Sequence, residues 1–517
     1  MTGGRAIALV GLLAAASGLL VTCTLNPGGS SSARGHAPAD RRTPAPVDRP
    51  VEVAARASDD APRSVDEQAP PEGDAPAEPA VTGYRVTART TIVYPEPRWG
   101  TPLRGRIDPN TAFAIRGLVD PAQADECEGE GWARVDGGGF VCLKPHHEET
   151  AEAPAIQPVV PEGQVVPFIY AMPHQDRAGK LAAPVPRYRN KWGLLRGREP
   201  LDHLVGNRQY SFVTEDRSTS VGRYLVDKKE RVVRSSHMKK ERPSEFGGRP
   251  LAERPLVEGL AAGWIVRYRV ELRDKPHPTR SKVVKKLEHH VELDVDPERH
   301  RAKGEAYYAV PDAIAPGVPG YLSDRDVHLW IPGPPLAEVG DDELWIDVEL
   351  GQQTLAIMRG QDPEYVTLIS SGNGKHPTPR GLYRLRSKLG LGKMRSLPDS
   401  PSDEEYYVED VPWVQYFYKR YALHTSYWHN RFGWRHSHGC INLAPRDSSY
   451  LFSQTAPALP EGWISVHEND GDPGTLLRVR RGKEPVEDRR RPLSEVDPED
   501  DELAEGIDDG DGGDGDE

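Results

Sequence analysis

The stretch Leu344-Trp345-Ile346-Asp347-Val348-Glu349-Leu350, with Gly351-Gln352-Gln353 and Thr354-Leu355-Ala356-Ile357-Met358 after it, decides the fold of the region it opens. Leu344, Ile346, Val348 and Leu350 alternate with Trp345, Asp347 and Glu349, which is the period of a β-strand. Gly351-Gln352-Gln353 turns that strand into the next apolar run, so the pair reads as a hairpin. A third strand, 365–370, ends at Ser371-Gly372-Asn373-Gly374. Farther along, Ala444-Pro445-Arg446-Asp447 introduces a short helix to about residue 454, Pro445 suiting its first turn. The runs 463–466 and 476–479 then read as closing strands, so the region 343–480 is expected to be mainly β.

Chemistry concentrates in His436-Ser437-His438-Gly439-Cys440-Ile441-Asn442-Leu443. A cysteine is a nucleophile as thiolate, and a nearby imidazole or a run of backbone N–H groups favours that form. Gly439 permits a sharp turn just before the thiol and exposes neighbouring N–H groups to a developing oxyanion. A second candidate base, His424, stands upstream in Tyr421-Ala422-Leu423-His424-Thr425, whose alternation predicts a strand end.

The segment from His424 to Asn442 resembles the signature of the YkuD-type L,D-transpeptidases: a histidine, a spacer, then Ser/Thr-His-Gly-Cys, a hydrophobic residue and Asn or Arg. Ser437-His438-Gly439-Cys440-Ile441-Asn442 matches it throughout, although the spacer of twelve residues is somewhat shorter than usual in that family. Upstream, His376-Pro377-Thr378-Pro379-Arg380-Gly381-Leu382-Tyr383 is similar to the family's Thr-Pro-x-Gly-x-Tyr/Phe segment. The resemblance implies a YkuD-like β-sandwich with Cys440 as nucleophile and His424 as base, its other nitrogen held by a backbone carbonyl, that of Thr425. It further implies that N–H groups around His438, Gly439 and Cys440 stabilise the oxyanion, with His438 lining the site and Ser437 and Asn442 supporting the loop. Tyr427 and Trp428 are expected to contact substrate, and 388–418 to form a lid and cleft wall. For 413–418 the alternative is sandwich core. His429 and His436 read as incidental.

By the same resemblance the substrate is a peptidoglycan stem peptide, cut before its terminal D-alanine through a thioester, and no cofactor is needed. A neighbouring amine would leave a 3→3 cross-link; water would make the site a carboxypeptidase, and wall-linked proteins as substrates an amidase. Two other classes compete. His424, His436, His438 and Cys440 suggest a metal site, against which alternate positions on one strand converge poorly. The other class is a non-catalytic wall-binding lipoprotein, against which the intact motifs stand.

The chain is 517 residues long. Arg5 and the apolar run 6–21 read as a signal peptide, and Leu20-Val21-Thr22-Cys23 resembles a lipobox, so 1–23 predicts export to the periplasm or cell envelope with a lipid anchor at Cys23. Residues 24–80, rich in Pro, Ala, Ser, Arg and Asp, lack the apolar content to fold and read as a tether. Short strands return over 81–150, and Gly131-Trp132-Ala133-Arg134-Val135 with Gly139-Phe140-Val141 resembles a bacterial SH3-like barrel. Cys127 and Cys142 flank its last hairpin and, in an exported protein, are expected to pair. The region 156–340 reads as β-rich but of unclear type, with 221–226 and 264–270 as strands. The segment 483–517 reads as a disordered tail. Beyond Leu493 it carries thirteen acidic residues and no Lys or Arg, equal to the whole formal charge of −13, so the body is near neutral. No nucleic-acid partner and no metal are expected; the partners are stem peptides and a membrane.

Overall fold

The computed structural model describes residues 79–175, 183–206, 208–396 and 406–490. The expected signal peptide with Cys23, nearly all of the tether, the tip of the 388–418 segment and the acidic residues after Leu493 lie outside them. Within the C-terminal region the strands are β1 (Leu344–Glu349), β2 (Thr354–Arg359), β3 (Asp362–Leu368), β4 (Gly381–Arg384), β5 (Ser387–Arg395), β6 (Tyr407–Tyr418), β7 (Tyr421–Thr425), β8 (Ile441–Leu443), β9 (Trp463–His467) and β10 (Leu476–Arg480). One helix, α1 (Pro445–Gln454), follows β8, with Pro445 in its first turn where the missing N–H costs no hydrogen bond.

Two sheets result. One has the order β3-β2-β1-β10-β4, edged by the short strand Arg249–Pro250; β1 and β10 run parallel and the other pairs antiparallel. In the second, β6, β5 and β9 lie side by side, and β7 leaves β6 to pair in parallel with β8. The alternation read from the sequence sends Ile346, Val348, Leu355 and Ile357 into a core shared with Phe417, Leu423, Ile441, Leu443 and Leu451. The fold is mainly β, and this face-to-face burial of apolar strand faces is what holds it together.

The opposite face of β1 is also covered. Trp345 packs with Trp264, Val266, Trp330 and Phe432, so the region before 343 forms a third layer. Under that layer Asp347, 2% exposed, accepts hydrogen bonds from Arg478 Nε at 2.7 Å and Arg480 Nε at 2.9 Å. A carboxylate with two guanidinium partners is the condition under which such charges tolerate burial.

The preceding regions share this framework. Gly83–Thr87, Ala112–Leu118, Gly131–Val135, Gly139–Leu143 and His147–Thr150 form a five-stranded antiparallel sheet, and Cys127 and Cys142 are disulfide-bonded with Cα atoms 5.8 Å apart. Gly105–Ile107 instead pairs with β9, so the second sheet crosses from the first region into the last. The run 264–270 is not one strand: Ala261–Ile265 and Val270–Arg273 pair with different neighbours, separated by Arg269 at φ 58°. The change of partner requires a bend that β-rich composition does not announce. In the 388–418 segment, β5 and β6 form a long hairpin, and Trp413, Val414, Tyr416 and Phe417 are buried, the core alternative for that part. Among the described residues no helix is long and apolar enough to cross a membrane.

Candidate active site

The motif is laced to the end of β3. Ser370 exchanges backbone hydrogen bonds with Asn442, both 2.9 Å, and the Ser371 carbonyl accepts from His436 N–H at 2.9 Å and Ser437 N–H at 3.1 Å. Asn373 N–H donates to the Ser437 carbonyl at 2.9 Å. Gly372 sits where a Cβ would lie 2.1 Å from the His376 carbonyl oxygen, so only glycine permits this approach.

The turn before the thiol is built by hydroxyls. Ser437 Oγ donates to the Cys440 carbonyl at 2.5 Å and accepts from Gly439 N–H at 3.1 Å. Thr378, from the Thr-Pro segment, donates to the Gly439 carbonyl at 2.7 Å and accepts from Gly372 N–H at 2.9 Å. Gly439 itself has φ 118°, and a Cβ there would meet the Tyr421 ring at 2.4 Å. The sharp turn expected of Gly439 is present, and its N–H is engaged by Ser437 Oγ.

Parallel pairing of β7 with β8 sets His424 opposite Asn442, two residues past Cys440. The half-buried Cys440 thiol lies against β7, donating to the Arg420 carbonyl at 3.7 Å. His424 is 3% exposed, and its Nδ1 lies 2.9 Å from the Thr425 carbonyl oxygen. A carbonyl only accepts, so Nδ1 carries the proton and the lone pair is on Nε2. Burial pushes the His424 imidazole down to about 4, the Thr425 contact opposing it, and pushes the Cys440 thiol up to about 11. Near neutral pH Cys440 therefore rests as a thiol and His424 as a neutral imidazole, whereas the sequence reading took a nearby imidazole to favour the thiolate.

His438 lies between two rings that sequence reasoning did not single out, His376 at 4.8 Å and Tyr406 at 5.1 Å. Burial first, and Cys440 second, push the Tyr406 phenol up to about 12, so Tyr406 also neighbours the thiol. His376 belongs to a quoted motif; Tyr406, just before β6, falls in the 388–418 segment expected to form a lid and cleft wall. Trp428 is half-buried, its ring 5.9 Å from that of His424. Tyr427 corrects an expectation: it is fully buried, stacks on Tyr170 at 3.5 Å and donates to the Glu409 carbonyl, so it packs and does not meet substrate. Asn442 braces the loop through its backbone, and its carboxamide nitrogen lies 3.0 Å from His429 Nε2, which gives a supposedly incidental histidine a supporting position. Among the described residues no three His, Cys, Asp or Glu side chains are grouped to hold a metal ion.

Residues 343–479 match the family model described as the L,D-transpeptidase catalytic domain, YkuD, and this segment is a domain of that type. Among solved structures the chain is similar to an Enterococcus faecium L,D-transpeptidase, with 22% identity, 28% of this chain and 50% of that one covered, and a TM-score of 0.21. It is also similar to an L,D-transpeptidase of Stackebrandtia nassauensis (23% identity, 28% and 59% covered, TM-score 0.20) and one of Mycobacterium smegmatis (19%, 32% and 74%, 0.22). The chain spans about half the length of the Enterococcus faecium protein. A comparison with curated proteins found no match.

Proposed function

We propose that this protein is a cysteine-dependent L,D-transpeptidase acting on peptidoglycan stem peptides. The observation that carries the reading is the contact of His424 Nδ1 with the Thr425 carbonyl, which leaves the Nε2 lone pair as the base on the strand beside Cys440. Because both groups rest uncharged, proton transfer accompanies attack. Sγ bonds to the carbonyl carbon of the third stem residue while its proton passes to His424 Nε2. The tetrahedral oxyanion takes a hydrogen bond from Cys440 N–H. Collapse breaks the C–N bond, and His424 returns the proton to the departing D-alanine amine. The thioester is then attacked by an amine of a second stem; a new C–N bond forms, the C–S bond breaks, and the amine proton restores the thiol. Thr378, Ser437 and Gly439 hold the turn that presents Cys440, and His376, His438 and Tyr406 wall the site.

The test is mass spectrometry of purified protein incubated with a carbapenem and with muropeptide tetrapeptides. The expected result is a single adduct on Cys440, followed by a cross-linked dimer, with both lost in Cys440→Ala. An adduct that survives Cys440→Ala, or an unreactive wild-type protein, overturns the proposal; a tripeptide with no dimer assigns water as the acceptor. This reading carries with it export to the cell envelope and acylation of Cys23, checked by the mass of the N-terminal fragment from cells.

A further inference from the structure

A pocket of about 430 Å³ opens beside the motif, where the segment after Ala261–Ile265 meets the loop that leads into His436. Its walls include Arg267, Tyr268, Arg431, Trp434, Arg435 and His436. Trp434 is a fixed platform: its indole N–H donates to the Val266 carbonyl at 2.6 Å, its own carbonyl accepts from Ser370 Oγ at 2.6 Å, and yet it is 42% exposed. Tyr268 is 69% exposed. An exposed indole held in place by hydrogen bonds on a concave surface, with a second exposed ring beside it, is an unusual cost unless something covers them.

The charge around the rings has one sign in excess. Arg267 lies over the Trp434 ring at 5.4 Å and faces Asp326 at 3.5 Å. Arg435 donates to the Leu350 carbonyl at 3.0 Å, with Glu349 and Arg481 among the charges near it. Glu349 is itself engaged by the N–H groups of Gly351 at 3.0 Å and Gly482 at 2.7 Å. Arg431 and Arg435 make no ion pair among the described residues. A guanidinium presents a planar fork that fits a carboxylate, and aromatic walls between such forks suit the apolar stretches of a peptide. One wall residue, His436, opens the turn that ends in Cys440 and is tied to Ser371 by its N–H.

We propose that this pocket binds a carboxylate-bearing peptide, the second stem peptide whose amine resolves the thioester. This rests on the transpeptidase reading. Arg431 and Arg435 take its carboxylates and Trp434 packs along its backbone, so the peptide reaches the thiol from the side of the preceding region.

The test uses the full chain carrying Cys440→Ala, so that nothing turns over, and measures equilibrium binding of a synthetic stem tripeptide and of the same tripeptide with its carboxylates amidated. The free-acid peptide is expected to bind, and Arg431→Gln or Arg435→Gln to weaken it by about tenfold or more each, in the range of a charge-assisted hydrogen bond. The amidated peptide is expected to bind weakly to the chain with both arginines intact, a comparison that needs no folded arginine variant. Equal affinity for both peptides, or unchanged affinity in the arginine variants, overturns the proposal. So does a glycerol-phosphate oligomer that binds through Arg431 where the peptide does not. Acylation of unsubstituted Cys440 by a carbapenem is read in parallel: its failure removes the transpeptidase reading, whereas acylation with arginine-independent peptide binding removes this inference alone.

Discussion

Replacing Thr378 by valine tests whether the turn before the thiol is held by one hydroxyl. Thr378 is 5% exposed, donates to the Gly439 carbonyl at 2.7 Å and accepts from Gly372 N–H at 2.9 Å. Valine keeps the shape and removes both bonds, so the expected loss is that of two stranded buried backbone groups, not of a cavity. At about 1–3 kcal/mol for each of the two groups the sum is roughly 2–6 kcal/mol. The Gly439 carbonyl belongs to the same peptide plane as Cys440 N–H, so releasing it also lets the oxyanion donor and the thiol drift. A displacement on the order of 1 Å costs about a hundredfold in rate. Denaturant titration reads the stability, and the rate of carbapenem adduct formation, followed by mass, reads the site. Thr378→Ser keeps the hydroxyl and is expected to recover most of the acylation rate. Unchanged stability and rate in Thr378→Val, or an equal loss of rate in Thr378→Ser, would refute the reasoning.

Burial holds His147, His328, His424 and His467 each down to about 4 from an ordinary 6.5. The unfolded chain therefore binds protons between about pH 6.5 and 4 that the folded chain refuses, so stability is full above about 6.5 and falls on acidification through that window; equal denaturation midpoints at the two ends would contradict it. Asp347→Asn strips the charge that pairs Arg478 and Arg480 under the third layer, and is expected to cost roughly 3–5 kcal/mol in a denaturant titration, a loss under 1 kcal/mol arguing against it. Cys142→Ala opens a link across a separation of 15 residues, worth roughly 3 kcal/mol, while the Cys440 acylation rate stays at its wild-type value; a fall in that rate at a temperature where the variant is folded would tie the disulfide to the site.

The hairpin of β1 and β2, the short helix after Pro445 and the closing strands were legible because each is written in local periodicity or turn chemistry. The thiol, the histidine on β7 and the carbonyl of its neighbour were legible for a related reason: they fall in two short motifs. Tyr427 was misread because adjacency to Trp428 says nothing about which ring turns inward; stacking on Tyr170, more than two hundred residues earlier in the chain, decides it. The burial of Asp347 was invisible as well, since a period-two strand looks the same whether its second face meets water or another layer.

The sequence by itself determined the strands, the positions of Cys440 and His424, and the separation of an acidic tail from a near-neutral body, because these depend on neighbours within a few residues. Only the tertiary structure decided how the site is made. Parallel pairing of β7 with β8 sets His424 opposite Asn442, two residues past Cys440, a hydroxyl from Thr378 and backbone contacts from Ser370 to Asn373 fix the turn, and burial pushes the His424 imidazole down and the Cys440 thiol up. Those are effects of desolvation and of contacts between distant segments, and no local pattern carries them.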